Sequence, residues 1–118
     1  MHIETFRNYC LSKPMVTEEF PFDETTLVFK VCGKMFALTG LESPAFKVNL
    51  KCDPDKAIEL RENYESITAG FHMNKKHWNT VLFDGSFSED LFKELIDHSY
   101  FLVVNGLPKK MRNQFNFD

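Results

Sequence analysis

The sequence predicts an α+β domain, a two-layer sandwich in which an antiparallel sheet carries helices on one face. Three observations carry this. Short β-branched and aromatic runs follow one another between residues 27 and 51 with tight turns between them, which favours antiparallel neighbours. Segments of helical period flank those runs and do not alternate with each one. The chain has 118 residues, 43% of them hydrophobic and thirteen of them Phe, enough for one aromatic-rich core and one domain spanning residues 1–118. The predicted order is α-β-β-β-α-β(β)-α.

Ile3, Phe6 and Cys10 or Leu11 recur at spacings of three to four, predicting a helix over 2–12 that Pro14 stops. Residues 15–26, with Pro21 and several acids, read as a connection. Residues 27–32 are a strand, Gly33-Lys34 a tight turn, and 35–39 the returning strand. From 45 to 51 the pattern alternates: Phe46, Val48 and Leu50 point inward, while Lys47, Asn49 and Lys51 point outward. Asp53-Pro54 supplies a cap and a first-turn proline for a helix reaching about residue 65, with Ala57, Leu60 and Tyr64 as its apolar stripe. Residues 67–76 read as a loop or irregular strand, and 77–83 as a strand ended by Asp84-Gly85. Ser86 and Glu89 have capping-box spacing, with Ser88 as the competing cap. The helix that follows turns Leu91, Leu95, Ile96, Ser99 and Val103 inward and stops at Asn105-Gly106, before Pro108. Residues 109–115 can add one or two helical turns.

Several chemistries find no support. The chain has no glycine-rich phosphate loop, nucleophile elbow, HExxH or paired-cysteine motif. Cys10, Cys32 and Cys52 are odd in number and widely spaced, so free thiols are expected in place of a disulfide framework or zinc site. Cys52 precedes a helix start, which can depress a thiol pKa. His72 and His77 lie five apart without a nearby cysteine, a weak metal signal, and His98 reads as structural. No apolar run reaches the roughly 20 residues of a membrane span, and the first residues have no signal-peptide pattern, so a cytoplasmic protein is expected. No catalytic residues and no cofactor are expected.

Charge is more informative. The net charge is −3, yet residues 27–52 and 67–83 carry Lys30, Lys34, Lys47, Lys51, Lys75 and Lys76 against a single acid, Glu42. A sheet face of that sign attracts polyanions, although lysines also guard open sheets against edge pairing. The run from Phe71 to Trp78 concentrates the only Trp, two His and a Lys pair. Whether Trp78 lies in the core or on a face is left open by the alternation.

Four elements, taken together, resemble the MmcQ/YjbR family along nearly the whole chain. They are Cys32-Gly33-Lys34-Met35-Phe36-Ala37, Val48-Asn49-Leu50-Lys51-Cys52-Asp53-Pro54, Phe71-His72-Met73-Asn74-Lys75-Lys76-His77-Trp78, and Asp97-His98-Ser99-Tyr100. The chain departs from the family pattern at Thr68-Ala69-Gly70-Phe71, where a proline is expected. The resemblance implies a CyaY-like or secretion-chaperone-like domain and a DNA-binding role with a double-wing arrangement. It directs attention to Lys34, Lys51, Asn74, Lys75, Lys76, His77 and Trp78. The expected activity is non-enzymatic binding of double-stranded DNA, mainly through phosphates. A protein-interaction or dimerisation module is the alternative, and monomer or homodimer stays open.

Overall fold

The computed structural model describes residues 1–115. Along the chain these form α1 (Ile3–Leu11), β1 (Val16–Glu19), β2 (Thr26–Val31), β3 (Lys34–Gly40), β4 (Lys47–Lys51), α2 (Pro54–Asn63), β5 (Ile67–Ala69), β6 (Trp78–Leu82), α3 (Glu89–Asn105) and α4 (Lys109–Gln114). The strands make one antiparallel sheet in the order β1-β2-β3-β4-β6-β5. The α+β sandwich with an antiparallel sheet is as expected. The sheet gains a first strand, β1, where Pro21 and the acids predicted only a connection. That strand is short, half exposed and Glu-rich, so its pairing with β2 decides its conformation and propensity does not.

Pleat and register assign the two faces. Leu27, Phe29, Val31, Val48, Leu50, Ile67 and Val81 join Phe6 and Cys10 of α1, Ala57 and Leu60 of α2, and the buried stripe of α3 in one core. Phe92 of α3 is its hub, with ring centroids 4.9 Å from Phe83, 5.9 Å from Phe46 and 6.1 Å from Phe6. Seven of the Phe side chains, Phe6, Phe29, Phe36, Phe46, Phe83, Phe87 and Phe92, belong to this core or pack against it. Offset and edge-on rings fill the space between sheet and helices.

The β2–β3 hairpin turns one residue earlier than predicted. Val31 pairs with Lys34, and the two central residues are Cys32 (φ 49°) and Gly33 (φ 81°). A two-residue hairpin whose twist matches its strands needs positive φ at both central positions, which glycine adopts freely. A bulge follows between Phe29/Lys30 and the facing strand, placing both Phe36 and Ala37 in the helix-side core. Ser99 of α3 explains its presence on an apolar face there: its hydroxyl donates to the Phe36 carbonyl and accepts from the Lys51 N–H at 2.9 Å.

Helix ends follow side-chain chemistry. Asp53 accepts from the Lys56 N–H at 3.2 Å and caps α2, as its sequence predicts. Ser88, not Ser86, caps α3 by accepting from the Leu91 N–H at 3.1 Å, because the Ser86 hydroxyl is paired with Ser66 at 3.0 Å. Gly106 ends α3 at φ −84°, so the stop there uses no left-handed residue.

Candidate binding surface on the open face of the sheet

The buried residues of α1, α2 and α3 join one core, so among the described residues none of these three helices lies over the opposite sheet face. Register brings Thr26, Val28 and Lys30 of β2, Met35 and Leu38 of β3, Lys47, Asn49 and Lys51 of β4, and Trp78, Thr80 and Leu82 of β6 onto that face. Its two ends differ.

At the end nearest the β2–β3 hairpin a second, smaller core forms. Trp78, 8% exposed, packs with Val28 and Leu38, and Met35 and Met73 close over them. The indole is therefore a packing group and offers no stacking platform. Gly70 is required beside it, because a Cβ there would lie 2.7 Å from the Trp78 Cβ.

The loop 70–77 is latched onto this face by Asn49, expected only to point outward, and by Thr80, which shares the face of Trp78. Thr80 Oγ1 donates to Asn49 Oδ1 at 2.6 Å and accepts from the Phe71 N–H at 2.9 Å. Asn49 Nδ2 in turn donates to the Phe71 carbonyl at 3.1 Å. Both backbone polar groups of Phe71 are thus satisfied by one two-residue device. The next residue, His72, sits at φ 60° with its ring centroid 3.9 Å from that of Phe71. A non-glycine residue held in the left-handed region costs roughly 1–3 kcal/mol, which the latch over-determines.

The expected DNA contacts fall into two groups. Lys34 and Lys76 are exposed, and Lys51 is half-buried opposite Trp78. Among the described residues none of the three sits in an ion pair. The rest are committed to local structure. Lys75 Nζ donates to the Gly70 carbonyl at 2.9 Å, and Asn74 Oδ1 accepts from the Lys76 N–H at 2.9 Å in an Asx turn. Trp78 is buried as described, whereas His77 is tied to Cys52 only through its backbone carbonyl, which accepts from the Cys52 N–H at 2.8 Å, and its half-buried ring makes no hydrogen bond to another described residue. Lys30, also on this face, pairs with Glu19 of β1 at 3.3 Å. The sheet thus carries more acid than the sequence reading allowed, because β1 adds Glu18 and Glu19 to it.

Towards the other end the face hollows into a groove of about 730 Å³. Leu38, Leu82, Ala69 and Met73 supply its apolar surface, and Phe22 and Phe71 stand at its sides, 64% and 66% exposed. No sequence motif announces this groove. Exposed aromatics in two separate loops were its only trace.

The thiols and His98 belong to the framework. Burial pushes the Cys52 thiol up to about 11, outweighing the neighbouring Lys56 and the helix start that suggested activation. Cys10 is raised further by burial. Burial also lowers His98, whose Nε2 accepts from the Asp53 N–H at 3.1 Å. Tyr9 donates to Asp97 at 2.6 Å and is pushed up to about 12, first by burial and then by that bond.

Comparison with known proteins agrees with this architecture. The chain is 41% identical over 107 residues to the uncharacterised protein YbdF of Escherichia coli O157:H7, covering 91% of this chain and 88% of that one. It is 33% identical over 112 residues to the uncharacterised protein YjbR of Escherichia coli K12, covering 95% of each. The crystal structure of Deinococcus radiodurans protein DR2400, with a DUF419 domain, superimposes with TM-score 0.90 at 41% identity, over 96% of this chain and 86% of that one. A Pseudomonas syringae protein follows with TM-score 0.73 at 27% identity, over 86% and 98% of the two chains. The YjbR family model matches residues 11–102, which hold the hairpin, the latched loop and the open face, and the chain belongs to the YjbR family.

Proposed function

We propose that this protein is a non-enzymatic DNA-binding module that holds phosphates at the hairpin end of its open sheet face. The observation that carries this reading is a set of three ammonium groups in no ion pair among the described residues: Lys51 on the open face opposite Trp78, Lys34 beside the β2–β3 turn on the pleat of Val31, and Lys76 in the loop 70–77. Lysine suits this task as a point charge for phosphate and reads no bases by itself. The buried Trp78 and the turn-bound Asn74 add nothing to base recognition, so binding is to the backbone and nearly independent of sequence. Lys75 can join only by leaving the Gly70 carbonyl. A cytoplasmic site of action belongs to the same proposal, since free Cys10, Cys32 and Cys52 stay reduced there.

Three phosphate contacts set the magnitude. Counterion release gives a slope of about −0.9 per phosphate in log K against log salt, hence roughly 40-fold weaker binding between 50 and 200 mM salt. A labelled duplex titrated over that series is the test. Lys34→Glu with Lys76→Glu, both at exposed positions, should weaken binding and flatten the slope. Equal affinity of wild type and the double variant at every salt concentration refutes the reading.

A further inference from the structure

We propose that the groove on the open face is a site for a small organic anion with a planar aromatic body. This inference uses none of the lysines assigned to DNA and stands independently of that reading. At about 730 Å³ the groove falls within the roughly 300–1,000 Å³ typical of small-molecule sites. Its surface is largely apolar, from Leu38, Leu82, Ala69 and Met73, and such surface favours a ligand with an apolar body. Phe22 and Phe71 add two exposed ring faces on its flanks, against which a flat aromatic ligand can pack edge-on or offset.

The sign of the ligand follows from the ionisable groups. Only Lys47 and His72 among the lining residues can carry charge, and no carboxylate lines the groove. Lys47 is exposed and, among the described residues, makes no ion pair. Asp23, Glu24 and Glu42 lie in the flanking loops but outside the lining, and Asp23 is held by the N–H groups of Thr25 and Thr26 at 2.9 and 2.6 Å. A ligand anion beside Lys47 would gain a charge-assisted contact with no competing acid in the groove. The hydroxyls of Ser43 and Thr68 line the same space and bond no other described residue, so they remain for polar atoms of the ligand. The Asn49–Thr80 latch fixes the backbone of Phe71 without a ligand, so this wall is pre-organised and its ordering is not charged to binding.

Three probes of one shape test the assignment: 2-naphthoate, neutral 2-naphthylmethanol and cationic 2-naphthylmethylammonium. Each is titrated into the full chain and followed by amide chemical shifts. The expected result is saturable 2-naphthoate binding that moves Thr68, Phe71 and Thr80, with at least about tenfold weaker binding of the alcohol and weaker still of the cation. Lys47→Met should bring 2-naphthoate down to the level of the alcohol and leave the alcohol unchanged. Phe71→Ala, at an exposed position, should weaken both. The inference is overturned by absence of saturation at millimolar probe, by equal binding of the three probes, or by shifts confined to Lys34, Lys51 and Lys76. Loss of DNA binding in the Lys34/Lys76 variant with 2-naphthoate binding intact separates the two sites.

Discussion

Thr80 and Asn49 illustrate how two side chains on a sheet face can set the course of a loop. Thr80→Val keeps the shape but removes both the donor to Asn49 and the acceptor for the Phe71 N–H. Leaving those groups unsatisfied should cost about 1–3 kcal/mol, and hydrogen exchange at the Phe71 amide should accelerate markedly over wild type. Unchanged exchange there would mean that the loop is held by other contacts. His98 offers a second residue-scale expectation, with a sign. Its ordinary value of 6.5 is lowered in the fold by burial first and by Lys56 second. The unfolded chain therefore binds the proton more readily, and the stability His98 contributes is complete above about pH 6.5. It is lost as pH falls through the lower folded value. Denaturant midpoints should drop between about pH 7.5 and 5.5, and His98→Gln should flatten that drop. An identical pH profile in the variant would remove His98 as its source.

At the scale of elements, α2 and the hairpin are set by local chemistry, whereas β1 and β5 are set by their neighbours. Asp53→Ala should cost about 1 kcal/mol through loss of the cap on the Lys56 N–H, read as a shift in urea midpoint at constant slope. The cysteines test how the elements pack. Cys10 and Cys52 are buried in the helix-side core, and Cys32 sits half-buried in the hairpin turn. Alkylation of native protein near pH 8 should modify Cys32 first, with Cys10 and Cys52 following only on unfolding. Early labelling of Cys52 would contradict its raised thiol value. The caps and alternation were legible because a helix end or half-buried strand is written into neighbouring residues. Ser88 rather than Ser86 as the cap was not decided, because the choice rests on a partner, Ser66, twenty residues earlier in the chain.

At the scale of the whole molecule, the sheet separates two environments with different demands. The helix side is closed around Phe92. The other side divides between a small core under Met73 and a groove beside Phe71. Gly70→Ala probes that division, since the added methyl meets the Trp78 Cβ at 2.7 Å. It should destabilise the protein by about 1–3 kcal/mol and blue- or red-shift the emission of the only Trp, Trp78. An unshifted spectrum with wild-type stability would mean the strand and loop separate there without cost.

The α+β class, the alternation along β4, the start of α2, the inward stripe of α3 and the family likeness were all present in the order of residues. They depend on spacings of a few positions, and such spacings survive without knowledge of the partner. The side of the sheet that buries Trp78, the ion pair that occupies Lys30, the strand made of residues 16–19 and the groove between two Phe-bearing loops were settled only by folding. Each depends on which distant segments become neighbours, and a chain read in sequence holds no record of distance across the sheet.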